Sequence, residues 1–278
     1  MERLKRLGKA SRTLVVGGVF LCAVVATNLC LTQRAVPPTL GTDSPALSAT
    51  LVALGGCRGI ISEGLWWRIA DLQRQNRYAE LVPLTDLLVT LDPASGDTWV
   101  YNAWNLSYNI SAAHHDVAEK WHWVKEGILL LERGLRAAPQ SEPILRQLGW
   151  TFEDKIAGSA DEAAPYYRAQ MGTLEKPADA EVFIAAVGFE PNWKDPIVRA
   201  LYWYWRAEHG RDMLRVTLRL AVNQGQAAWM PFLLQTARKT WDELAPRQCE
   251  QVIHILRMVP QTHPLRGEIE DFLKEVTL

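Results

Sequence analysis

Residues 75–93 read QNRYAELVPLTDLLVTLDP, and the reading of this stretch decides the fold class. Leu81, Leu84, Leu88 and Leu91 recur at spacings of three and four, which places them on one face of a helix. Leu91-Asp92-Pro93 ends that helix, because proline cannot continue the hydrogen-bond ladder and pushes its predecessor out of the helical region. Upstream, Leu65, Ile69 and Leu72 predict a partner helix over about 62–75. The two helices make a hairpin, with Tyr78 packed between them. From Ser62 onward the periodicity stays helical and no long alternating pattern appears, so the expected class is all-α.

The hairpin recurs. The stretch 75–93 aligns without a gap to the second half of a tetratricopeptide repeat. A second unit runs from Asp97 to Pro139, with Trp99, Ala103 and Leu106 on one side of its first helix and a second helix over 117–137. Pro93 and Pro139 stand 46 residues apart against an ideal of about 34, so a bulging loop is expected around 109–116. A third unit covers 142–171. Gly149 and Ala163 supply the small residues that close helix crossing needs, and Pro165 lies in a first turn, where a missing N–H is tolerated. Three hairpins are about the minimum for a stable solenoid. Later helices are predicted near 180–188, 194–209, 211–224, 226–240, 245–258 and 264–276, as degenerate repeats or a cap.

The N-terminus reads differently. Arg3, Lys5, Arg6, Lys9 and Arg12 face a single Glu2, and no charge then appears from Thr13 through Gln33. As a helix, this uncharged run spans about 31 Å, the thickness of a bilayer core. The basic flank puts Met1 in the cytoplasm and the remainder outside it. A cleaved signal peptide is the rival reading, but Val24-Val25-Ala26 makes a poor cleavage site. A lipoprotein signal is weaker still, since leucines precede Cys22 and Cys30. The expected organisation is a cytoplasmic basic tail (1–12), a transmembrane helix (13–33) and a Pro-rich linker (34–46). Tetratricopeptide-like repeats (47–176) and a C-terminal helical region (177–278) follow.

Composition narrows the functional classes. Thirty basic and thirty-one acidic residues leave a net charge of −1, and residues 35–278 carry −6. That argues against nucleic acid as the partner. Four cysteines without paired spacing exclude a zinc ribbon, and no phosphate-cradling or His-Glu-x-x-His motif occurs. His114, His115 and His122 with Asp116 and Glu119 offer a possible metal cluster. The competing reading is a polar loop in which Asp116 caps the next helix. The twelve tryptophans fit helix seams better than a ligand groove.

Asn102, Asn105 and Asn109 fall on one face of a first helix, and asparagine is a poor helix former that usually needs partners. With Trp104 and Tyr108 they are the candidate partner-binding residues. Hydrogen bonding between adjacent helices is the alternative role for the asparagines. No catalytic, metal or cofactor residues are expected. An enzyme or ligand-binding protein with a C-terminal pocket, using Glu190, Trp193, Glu208 or His209, is the alternative.

Leu54-Gly55-Gly56-Cys57-Arg58-Gly59, Leu65-Trp66-Trp67-Arg68, Ala103-Trp104-Asn105-Leu106-Ser107-Tyr108 and Gly149-Trp150-Thr151-Phe152-Glu153-Asp154 carry a family resemblance. The chain resembles membrane-anchored tetratricopeptide-repeat-like proteins of Planctomycetes and Verrucomicrobia-type bacteria over roughly 50–170, with Cys57 where a phenylalanine is expected. The resemblance implies a protein of the bacterial cell envelope and brings no activity with it. The combined expectation is an inner-membrane, signal-anchored α-solenoid. Its extracytoplasmic part would hold an extended segment or helix of a protein partner as a scaffold.

Overall fold

A computed structural model describes residues 57–223 and 227–277. The basic tail, the uncharged run 13–33 and the linker 34–46 lie outside the described residues, as do Cys22 and Cys30. Among the described residues every regular element is helical and no strand occurs. No helix among them is long and apolar enough to cross a membrane. The chain divides into two compact units, Met1–Ala94 and Ser95–Leu278. Helices on both sides of residue 177 belong to the second.

In the first unit, α1 (Cys57–Arg74) packs on α2 (Leu81–Leu91) through Ile69, Leu72, Leu81 and Leu88, all fully buried. This is the hairpin that the leucine spacing predicts. Asn76, with φ at 56°, makes the left-handed turn between the helices, a conformation asparagine tolerates better than most residues. Tyr78 is only half-buried and donates its hydroxyl to Asn76 Oδ1 at 3.0 Å.

The second unit begins with α3 (Gly96–Trp104), capped where Ser95 Oγ accepts from the Thr98 amide. The helix does not end at Trp104. It widens into a π-helical segment, Asn105–Ile110, and closes with a last turn, Ser111–Ala113. The loop expected around 109–116 therefore shrinks to 114–116. The added length enters the helix instead, where a π turn holds extra residues and keeps Ile110 and Ser111 buried. Asp116 then caps α4 (Val117–Ala137), accepting from Ala118 N at 2.6 Å.

The next hairpin repeats the device. Helix α5 (Glu142–Trp150) runs into a second π-helical segment, Thr151–Ile156, followed by α6 (Ala164–Gln170) with Pro165 in its first turn. After α7 (Ala180–Val187) comes α8 (Pro196–Arg206), in which every residue from Pro196 to Tyr204 is buried. A helix buried on all sides belongs in a core, and its one buried charge, Arg199, donates to the carbonyls of Leu174, Glu175 and Trp193. Indeed α5 packs along both α3 and α8, while α4 covers α3 and α5. Helices α9 (Gly210–Asn223), α10 (Met230–Thr240), α11 (Pro246–Met258) and α12 (Arg266–Thr277) share a core of their own around Leu233, Val252, Leu256 and Ile269.

Candidate functional site

The two π-helical segments are equivalent. Ser95 and Ser141 precede α3 and α5 at the N-cap, and 46 positions separate Trp104 from Trp150 and Asn105–Ile110 from Thr151–Ile156. In each segment an amide reaches back five residues: Ser111 N–H to Leu106 O, and Ala157 N–H to Phe152 O at 3.0 Å. Side-chain hydroxyls add bonds to the carbonyls around each segment. Ser111 Oγ donates to Ser107 O and Thr151 Oγ1 to Gln147 O. The segments touch each other.

Tyr108 sits at that contact. Trp104 stacks on its ring, with centroids 5.9 Å apart and planes 16° from parallel. The Tyr108 hydroxyl donates to Asp154 Oδ2 at 3.1 Å, and the Trp150 side chain lies on the same hydroxyl's side. Burial, and then the charge of Asp154, push the phenol far above its usual range, so it stays a proton donor. Lys155 Nζ lies 5.1 Å from the Tyr108 centroid and pairs with Asp161 Oδ2 at 2.6 Å. Burial is the largest influence on Asp161 and pushes its carboxyl up. The bonds from Lys155, the Ala163 amide and Tyr167 outweigh it together and hold the carboxyl below its usual range. Glu153 faces the next helix. It accepts from Tyr204 OH at 2.9 Å and from both ends of the Arg215 fork at 2.9 and 2.6 Å.

Two tryptophans remain open on this framework, Trp104 at 37% and Trp150 at 45% of their full exposure. Trp104 is stacked on Tyr108 and Trp150 lies near the same tyrosine from the next hairpin, so the two rings form an aromatic platform. It has no nucleophile beside a base. Its polar groups are consumed in holding the rings.

Among the sequence-predicted residues, the structure brings Trp104 and Tyr108 together here and turns the asparagines inward. Asn102 and Asn105 are 2% and 1% exposed, and Asn109 Nδ2 donates to Asn105 Oδ1 at 2.9 Å. They share one face, and that face points into the protein, with Asn102 buried in the α-helical turn that precedes the π segment. Trp150, Asp154 and Lys155 were missed. The signal for them was present in Trp104-Asn105-Leu106-Ser107-Tyr108-Asn109-Ile110 against Trp150-Thr151-Phe152-Glu153-Asp154-Lys155-Ile156, which share first and last residues.

Among the alternative residues, Trp193 Nε1 donates to Glu190 at 2.8 Å and His209 faces Asp212 at 2.8 Å. His114 stacks on Trp123 and His122 meets it edge-on, and among the described residues no group of three or more His, Cys, Asp or Glu side chains is placed to hold a metal. No protein-family model, curated protein or solved structure matches this chain.

Proposed function

We propose that the protein is a membrane-anchored scaffold. Its tetratricopeptide-like α-solenoid docks an extended segment or helix of a protein partner on the Trp104–Tyr108–Trp150 platform. The observation that carries this reading is the pair of exposed tryptophans at equivalent positions of a 46-residue repeat, one of them stacked on Tyr108. Rigid aromatic anchors supply contact area at low entropic cost and dominate the energetics of protein interfaces. The repeated helix–π-segment–helix hairpins, stacked α3 on α5 on α8, support a solenoid. The uncharged run 13–33 with its basic flank supports an anchor in the cytoplasmic membrane, with the helical part outside the cytoplasm. The net charge speaks against nucleic acid, and no arrangement of residues recommends an enzyme.

Photo-crosslinking tests this reading. A photoreactive amino acid placed at 104 or at 150 in the native membrane should capture the same partner, while one at exposed Arg257 should not. Capture from all three positions alike, or from none, would refute the platform as the docking surface. A reporter fused after Leu278 should be active only outside the cytoplasm.

A further inference from the structure

Helix α1 carries apolar side chains on two opposite faces. One face, with Ile69 and Leu72, is spent on α2. On the other, Ile60, Gly64, Trp67, Asp71 and Arg74 follow at spacings of four, three, four and three, one stripe along the helix. Ile60 and Trp67 are 75% and 69% exposed. Nothing lies within 4 Å of the Cβ position of Gly64 between them, so the face is open there. A lone exposed apolar side chain is ordinary on a protein surface. Two large ones on one line of a helix, with the opposite face already buried, make a patch that a second surface would cover.

Chain order and charge point to the occupant. Helix α1 is the first described element after the uncharged run 13–33. Residues 34–56 join the two and reach at most about 80 Å even if fully extended. The stripe is apolar at the end nearer that run and charged at the far end. Arg68 and Arg74 share Asp71, at 3.4 and 3.5 Å, so two exposed guanidinium groups lean on one carboxylate. Over its length α1 holds Arg58, Arg68 and Arg74 against Glu63 and Asp71. It is therefore a positive helix in a chain portion, 35–278, that is negative overall. With those charges it cannot itself cross a bilayer.

We propose that α1 lies against the bilayer surface, with Ile60 and Trp67 seated among the lipid headgroups and Arg68 and Arg74 on lipid phosphates. The proposal rests on the membrane-anchored reading above. Tryptophan is favoured at this depth, where its ring meets acyl chains and its N–H meets water. Arginine stems cover apolar surface while their heads stay with anionic groups. A helix with an apolar stripe and cationic flanks lies in the interface plane. The contact would fix how the first hairpin stands on the membrane.

Lipid photo-crosslinking tests this on the full-length chain in nanodiscs of phosphatidylethanolamine and clickable phosphatidylglycerol. A photoreactive amino acid is placed in turn at 19, 60, 67 and 87. Positions 60 and 67 are exposed, so replacement there spares the α1–α2 seam. Leu87, 43% exposed on α2, is the control. Lipid adducts are expected from 19, 60 and 67 and should be lost at 87. An adduct at 19 with none at 60 or none at 67, or one at 87 as strong as at 67, would overturn the contact and leave the anchor standing. Adducts at 60 and 67 without one at 19 would overturn the anchor and leave the contact. No adduct at any position would overturn both. Crosslinks from 60 and 67 to this chain, to a second copy or, in native membranes, to another protein in place of lipid would also overturn the proposal.

Discussion

Replacing Gly149 by alanine probes the close crossing of α5 and α8. A Cβ built on Gly149 would lie 2.6, 2.7 and 2.9 Å from three carbons of the Tyr204 ring. Carbon atoms settle at about 3.5–4.0 Å, so the ring would have to retreat by roughly 1 Å. It has little room to do so. Tyr204 is 1% exposed, its hydroxyl is held by Glu153 at 2.9 Å, and the Arg215 guanidinium covers the ring at 5.8 Å. Overpacking of this kind costs about 1–3 kcal/mol. Against it, alanine gains about 0.8–1.0 kcal/mol of helix propensity over glycine. The net expectation is a loss of up to about 2 kcal/mol, and at roughly 2–4 °C per kcal/mol the melting temperature falls by up to about 8 °C. Gly267→Ala is the control: nothing lies within 4 Å of its Cβ position, and the propensity gain of up to about 1 kcal/mol should raise stability. Thermal melts followed by circular dichroism, with urea titrations to check that the m-value is unchanged, give both numbers. If Gly149→Ala melts at or above the wild type, as Gly267→Ala should, the tight crossing of α5 and α8 is refuted.

Asn105→Ala should cost about 1–3 kcal/mol, because it removes a buried acceptor and strands the Asn109 amide, and a melt reads the loss directly. Tyr108→Phe should cost about 0.5–1.5 kcal/mol, since Asp154 loses the hydroxyl that donates to it, and a thermal melt reads the loss. Glu132→Gln should stabilise the protein at neutral pH. Burial raises the folded-state pKa of Glu132 despite Arg199 and Arg136, so its ionisation costs stability above the folded pKa. That cost disappears as pH falls through the folded pKa toward the unfolded value, so the gain of the glutamine variant should shrink to nothing there. Urea midpoints between pH 4 and pH 8 measure it, and an advantage that grows on acidification would reverse the sign of the argument.

Much of the helical order is legible in the chain. Leucines at spacings of three and four, Pro93 and Pro139 as stops, Asp116 as a cap and Pro165 in a first turn all act within one or two helical turns of themselves. Local steric and hydrogen-bonding rules are enough to place them, which is why α4 begins and ends where its periodicity predicts. Gly149 also announces a close crossing, because a missing side chain in a helix has few other uses. The sequence cannot by itself say which face of α3 meets solvent. That depends on the π turns at Asn105–Ile110 and Thr151–Ile156, which have no strong local signature and persist because α4 and α8 pack against them. The packing puts Asn102 and Asn105 in the core and leaves Trp104 and Trp150 exposed. The Tyr108–Asp154, Tyr204–Glu153 and Arg199–Leu174 bonds join residues 46, 51 and 25 positions apart. Such pairings follow from how helices stack, which is decided by the competition of all their faces for burial. The chain alone thus determines the helices and their ends, and the tertiary packing determines the surface they present.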